Sequence, residues 1–221
     1  MKLLIEALTK FTCGFLLVGL LIFLPAGTLR YTYGWLFMGL LFVPMLIAGF
    51  VMLAKSPEFL KKRLDAKEKK GTQKGVVAFS GLMFVAGFVV AGLDFRFGWS
   101  AMPACVVIIA SVLFLVAYAL YAEVMRENAY LSRTVKVEEG QTVVDTGLYG
   151  IVRHPMYAVT ILLFLMIPLV LGSWYALISF GFYPAVIVVR LKDEEELLTR
   201  ELPGYCEYKQ KVKYRIIPFI W

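Results

Sequence analysis

Long uncharged apolar stretches alternate with short charged ones along most of this chain, and that alternation predicts its architecture. Phe11–Leu29, Tyr31–Ala54, Gly75–Leu93 and Phe97–Ala122 each come close to or exceed the roughly 20 apolar residues that carry a helix across a bilayer core. Pro155–Val189 holds 35 consecutive residues without a charge, too many for one crossing. Leu171-Gly172-Ser173-Trp174 offers a tight reversal in its middle, so the run reads as a helical hairpin. The pattern predicts an all-α polytopic membrane protein of about six transmembrane segments, the last two forming that hairpin. Two polar stretches interrupt it, one from Glu123 to His154 and one from Arg190 onward.

Composition agrees and excludes a soluble fold. Of 221 residues, 60% are hydrophobic and only 18% charged. Lys and Arg are strongly one-sided: 21 lie in the N-terminal stub, the 55–74 loop, the 123–154 stretch and the tail, against two, Arg30 and Arg96, in the opposite loops. Positive charge in short loops stays in the cytoplasm, so both termini and both long polar stretches are expected there. The net charge of +7 flanks hydrophobic spans and forms no basic face, which points to membrane lipids as partners and to no nucleic acid. Lys2, Lys10 and the following run could be read as a cleavable signal, but no polar segment suited to export follows. Cys13, Cys105 and Cys206 form no CxxC pair and are expected to be reduced, and no metal site is expected.

Residues 1–122 read as a four-span scaffold, with Gly34, Gly39 and Gly49 available for close helix approach. Ser56–Leu64 alternates charge with Leu and Phe, as a short amphipathic surface helix would. Asp94 and Arg96 beside Trp99 read as ordinary charges at a membrane boundary. The region 123–221 has a different texture. Gly140, Gly147 and Gly150 punctuate it, 135–137 and 142–144 hint at short extended pieces, and the 192–198 helical pattern runs until Pro203-Gly204. Both polar stretches bracket the hairpin on one side and can fold together over its open end, where a cofactor pocket is expected.

The sole histidine, His154, stands in Arg153-His154-Pro155 where a polar stretch meets an apolar run, with Pro155 suited to the first helical position. Arg190 and Glu194 are four apart on one helix face, followed by Glu195 and Glu196. A solvated ion pair is the plain reading. Their place at the end of a span favours a polar cavity or a cationic ligand. The tail, Gly204-Tyr205-Cys206-Glu207-Tyr208 and then Tyr214 to Trp221, mixes aromatics with basic residues and could equally be a membrane-surface anchor.

Taken together, Glu139 to Tyr149, Val152-Arg-His-Pro-Met-Tyr157, Glu194-Glu195 with Leu198, Gly-Tyr-x-x-Tyr and Arg-Ile-Ile-Pro resemble the isoprenylcysteine carboxyl methyltransferase family and its phospholipid methyltransferase relatives. The resemblance covers about residues 130–221. It implies a methyltransferase that uses S-adenosylmethionine and acts on a lipid or lipidated acceptor. By position, Gln141, Thr142, Val143, Val144, Tyr149, Arg153, His154, Pro155, Met156, Tyr157 and Glu194 would bind that cofactor. Arg190, Tyr205 and Tyr208 would meet the acceptor, with Arg190 and Glu195 as catalytic residues. A carboxylate acceptor needs no base, whereas an amine acceptor needs one, for which Glu195 or a neighbouring carboxylate is the available type. The runner-up is an NADPH-dependent membrane reductase of the sterol type, and the non-enzymatic alternative is a membrane scaffold. No obligate protein partner is readable.

Overall fold

A computed structural model describes residues 2–64, 71–131, 135 and 137–221, with 71 and 72 described by backbone alone. Lys136 of the expected 135–137 extended piece, and the charges at 65–70, lie outside the described residues. The elements are α1 (Lys2–Ala26), α2 (Thr32–Lys55), α3 (Pro57–Leu64), α4 (Gly71–Phe97), α5 (Ala104–Glu127), a 3-10 turn (Gly147–Gly150), α6 (Pro155–Val170), α7 (Trp174–Phe180), α8 (Tyr183–Glu201) and α9 (Tyr205–Lys211). Among the described residues there is no strand, and 142–144 takes an irregular path.

Among the described residues, five helical stretches are long and apolar enough to cross a membrane: α1, α2, α4, α5 and the combined α7–α8 stretch Trp174–Glu201. α6 is a shorter apolar helix of 16 residues. The helix breaks at 171–173, between α6 and α7. Gly172 has φ 73°, and a Cβ there would also press on the Tyr33 ring at 2.8 Å, so only glycine fits the turn. Ser173 caps α7 by accepting the Ala176 amide at 3.0 Å. These features fit an integral multi-pass membrane protein. Leu16, Leu20, Leu24, Leu82 and Ile108 all point outward, which water would penalise and lipid does not.

The interior is aromatic: Phe37 packs on Phe88 and Phe114, and Phe84 on Phe164 and Phe180. Of the three glycines expected to allow close helix approach, only Gly34 is tightly packed, against Phe23, Ile22 and Tyr31, while Gly39 and Gly49 face open space. The closest helix approaches come instead at Gly92, where a Cβ would meet the Ile22 carbonyl oxygen at 2.4 Å, and at Gly87 against Phe180. α3 forms as its pattern predicts and buries Leu60.

Asp94 corrects the reading of it as a boundary charge, because it is 2% exposed inside the end of α4. Its carboxylate accepts the Ser100 amide at 2.7 Å, the Ser100 hydroxyl at 2.6 Å and the Ser173 hydroxyl. The Ser100 hydroxyl in turn accepts the Trp174 amide at 3.0 Å. This network fastens α4 to the 171–174 break and thereby fixes where α7 and α8 start. Tyr31 adds a hydroxyl bond to the Leu171 carbonyl.

Candidate functional site

At the other end of α4 the chain builds a second buried polar network, and this one opens into a cavity. Its frame is set where α6 begins. Pro155 is the first residue of α6, as its missing N–H predicts, and His154 precedes it at the cap position. Just before the helix, the Arg153 amide donates to the Tyr214 carbonyl and the His154 amide to the Arg215 carbonyl, each at 2.9 Å. The tail is thus stitched along the start of α6. Pro203 and Gly204, the latter at φ 81°, end α8 and turn the chain into α9, which brings Tyr205 and Tyr208 back over the same place.

Glu195 on α8 is the hub of this arrangement. One carboxylate oxygen accepts the Arg153 Nε at 2.8 Å and lies 3.3 Å from His154 Nε2, while the other accepts the Arg215 Nε at 2.9 Å. Arg153 spends a further nitrogen on the carbonyls of Val212 and Lys213, both at 2.9 Å. Arg153, His154 and Glu195 are all buried. One carboxylate therefore holds together the start of α6, the middle of α8 and the tail, and both its oxygens are already committed.

Beside this hub lies a cavity with about 790 Å³ of empty space, its open mouth included. Gln141, Thr142, Val143 and Val144 form one wall, Tyr149, Arg153, His154, Met156 and Tyr157 another, Arg190 and Glu194 a third, and Tyr205 and Tyr208 the cover. Of the residues expected from sequence, only Pro155 and Glu195 are missing from its lining: Pro155 is buried at the helix start and Glu195 is held in the hub. Arg190 and Glu194 do share a face, and Tyr157 stands between them, its hydroxyl donating to Glu194 and accepting Arg190 Nε at 3.2 Å. The Gln141 side chain accepts the Glu138 amide at 2.9 Å and so braces its own loop.

The tyrosines differ in how they are satisfied. Tyr149 is buried, its hydroxyl takes a bond from Asn128 at 3.0 Å, and its carbonyl accepts the Tyr208 hydroxyl at 2.7 Å. Tyr205 is 3% exposed, yet its hydroxyl has no hydrogen-bond partner among the described residues. Burial raises the pKa of all three phenols, and for Tyr205 the carboxylates of Glu195 and Glu194 raise it further. A buried hydroxyl left unpaired costs free energy unless something polar occupies the cavity it lines.

Several contributors are not singled out by the sequence. Asn128 at the end of α5 and Tyr130, Leu131 and Leu202 line the cavity beside Val135 and the motif residue Leu198. Gln73, fully buried at the start of α4, accepts Arg190 at 3.3 Å and donates to Asp193 at 2.8 Å. A lone amide in a charged loop gives no periodic or motif signal, so only the fold reveals it. Gly147 also belongs here. At φ 51° it bends the 3-10 turn beneath Glu127, whose carboxylate accepts the Leu148 amide at 3.0 Å, and a Cβ on Gly147 would fall 1.4 Å from that carboxylate.

Comparisons with known proteins bear on the same region. Residues 105–200 match the model of the Isoprenylcysteine carboxyl methyltransferase (ICMT) family. The match takes in α5, upstream of the motifs, and stops before the tail. The chain is 33% identical over 91 residues to Uncharacterized protein YpbQ of Bacillus subtilis, which is 41% of this chain and 54% of that protein. It is 31% identical, also over 91 residues, to the mouse Delta(14)-sterol reductase TM7SF2, which is 40% of this chain and 22% of that protein. The alignments thus span about half of one relative and under a quarter of the other. The segment that supplies α6 and α8 to the cavity is isoprenylcysteine carboxyl methyltransferase-like, as its motifs predict.

Proposed function

We propose that this chain is an integral membrane methyltransferase that binds S-adenosylmethionine in the cavity between α6, α8 and α9 and serves a lipid or lipidated acceptor. One observation carries the reading. The cavity gathers the motif residues 141–144, 149, 153, 154, 156, 157, 190 and 194, and the buried hydroxyl of Tyr205, which also lines it, has no partner among the described residues. When bound, S-adenosylmethionine supplies an electrophilic methyl group on a sulfonium.

The residues suit that ligand. Glu194 is placed to accept hydrogen bonds from ribose hydroxyls or an amino group, and Tyr205 offers its hydroxyl. The rings of Tyr149 and Tyr157 favour a cation beside them. Arg153 and His154, fixed by Glu195, lie where a carboxylate could be held. Arg190, steadied by Tyr157 and Gln73, is suited to an acceptor carboxylate or phosphate. Catalysis then rests on alignment and exclusion of water, with α9 as the cover. An amine acceptor needs a base, and Glu194, which lines the cavity, suits that role better than Glu195, which acts as a positioning residue. The one-sided basic loops support a cytoplasmic cavity, with the acceptor arriving from the bilayer.

The match to a sterol reductase favours one second reading, a nicotinamide cofactor in the same cavity. Calorimetric titration of the detergent-purified chain with S-adenosylhomocysteine and, separately, NADPH decides between them. Binding of the first alone is expected, and binding of NADPH alone would replace the methyltransferase by the reductase.

A further inference from the structure

The last seven residues, Arg215–Trp221, form a closed loop that the site does not use. The amides of Arg215, Ile216 and Ile217 all donate to the Trp221 carbonyl oxygen, at 2.9, 3.0 and 3.1 Å, and the Ile220 amide donates to the Ile217 carbonyl at 3.2 Å. The Arg215 guanidinium lies over the Trp221 ring at 5.2 Å. So tight a closure forces Phe219 to φ 66°, a left-handed conformation that side chains other than glycine and asparagine seldom adopt. The tip of the loop is apolar and outward: Phe219 is 85% exposed, Ile220 76% and Ile217 48%.

Position and charge say what covers it. The bonds from Arg153 and His154 to Tyr214 and Arg215 hold the base of the loop two residues or fewer from Pro155, where α6 begins its apolar run. Ile151, exposed on the same stretch, continues the apolar surface. The loop therefore sits at the level where the bundle meets the membrane boundary. The chain leading into it carries Lys209, Lys211 and Lys213, a sign suited to anionic lipid headgroups. A preformed loop with an apolar tip and a basic base matches an interfacial wedge, which loses little entropy on insertion.

We propose that the 217–220 tip is seated in the headgroup–acyl boundary of the leaflet at the start of α6, as a lipid-binding surface distinct from the cavity. Because Arg215 at its base grips Glu195, seating the tip also steadies the hub beside the cavity. The proposal does not depend on which cofactor the cavity takes.

The test uses the full chain with Cys13, Cys105 and Cys206 changed to Ser, reconstituted in vesicles of phosphatidylethanolamine and phosphatidylglycerol in equal parts. A nitroxide is placed at Phe219→Cys and, in separate proteins, at Ile220→Cys, at Glu207→Cys on exposed α9 and at Leu20→Cys on the lipid-facing side of α1. At 219 and 220, collisional relaxation by a water-soluble nickel chelate is expected to fall several-fold below that at 207, with oxygen accessibility rising toward that at 20. Nickel accessibility at both tip positions equal to that at 207 would overturn the proposal. The two tip positions guard against a local disturbance at either one.

Discussion

Gln73 and Asp94, near the two ends of α4 and about 30 Å apart along it, belong to buried polar networks of opposite kinds. At the Asp94 end every group closes on another: carboxylate to two serines, serines to backbone amides. At the Gln73 end the Glu195 hub is equally well paired, yet it borders a cavity whose wall includes an unpaired tyrosine hydroxyl. Buried charge alone therefore does not mark a site in this protein. What separates the two ends is a cavity lined by a tyrosine whose buried hydroxyl finds no partner among the described residues.

The largest expected effect falls on the hub. Glu195→Ala strands two guanidinium groups, one of them buried, and should cost about 3–5 kcal/mol, with S-adenosylhomocysteine binding lost as well. Thermal unfolding in detergent measures the first and calorimetry the second. Unchanged stability would mean that the hub is not what joins α6, α8 and the tail.

Asp94→Ala sharpens the contrast from the other side. It removes the acceptor of three hydrogen bonds and should lower stability by about 1–3 kcal/mol, with S-adenosylhomocysteine affinity unchanged in the protein that remains folded. A parallel loss of affinity would show the two ends to be coupled and would break the comparison. Glu194→Ala should do the reverse. Affinity for S-adenosylhomocysteine is expected to fall about tenfold or more, equivalent to about 1.4 kcal/mol, while the unfolding temperature holds.

The smallest effect concerns pH. The phenols of Tyr149, Tyr205 and Tyr208 are held above the ordinary value of 10.0 by burial. The folded state thus prefers them neutral, while the unfolded chain ionises them near that ordinary value. Their contribution to stability is fully present below about pH 10 and declines above it. Tyr205→Phe should move the onset of alkaline unfolding upward, as followed by circular dichroism during an alkaline titration.

How much of this was legible beforehand differs by region. The apolar runs foretold the helices, because bilayer thickness fixes the length of an uncharged segment whatever its neighbours do. The break at Gly172 and the start of α6 at Pro155 were legible too, since glycine and proline act through their own backbone. The expectation of six crossings meets five helical stretches of spanning length among the described residues, because α6 stops at 16 residues. Hydropathy is blind to such breaks. It was equally blind to Asp94, whose burial depends on two serines from elsewhere in the chain.

In the candidate site, nearly every residue named from motif order lines the cavity. Motif order could not tell Glu194 from Glu195. Adjacent carboxylates on a helix point about 100° apart, and only the packed neighbours decide which one meets a cavity and which one meets Arg153 and Arg215. Gln73 and Asn128 had no signature at all. By itself, the sequence determined the helices and the membrane character, because local backbone chemistry and transfer of apolar surface from water act segment by segment, while most residues around the cavity were named only through the family resemblance. Only the tertiary structure decided which polar groups are spent on one another and which remain open to a ligand, because hydrogen-bond satisfaction belongs to pairs of groups that the fold alone brings together.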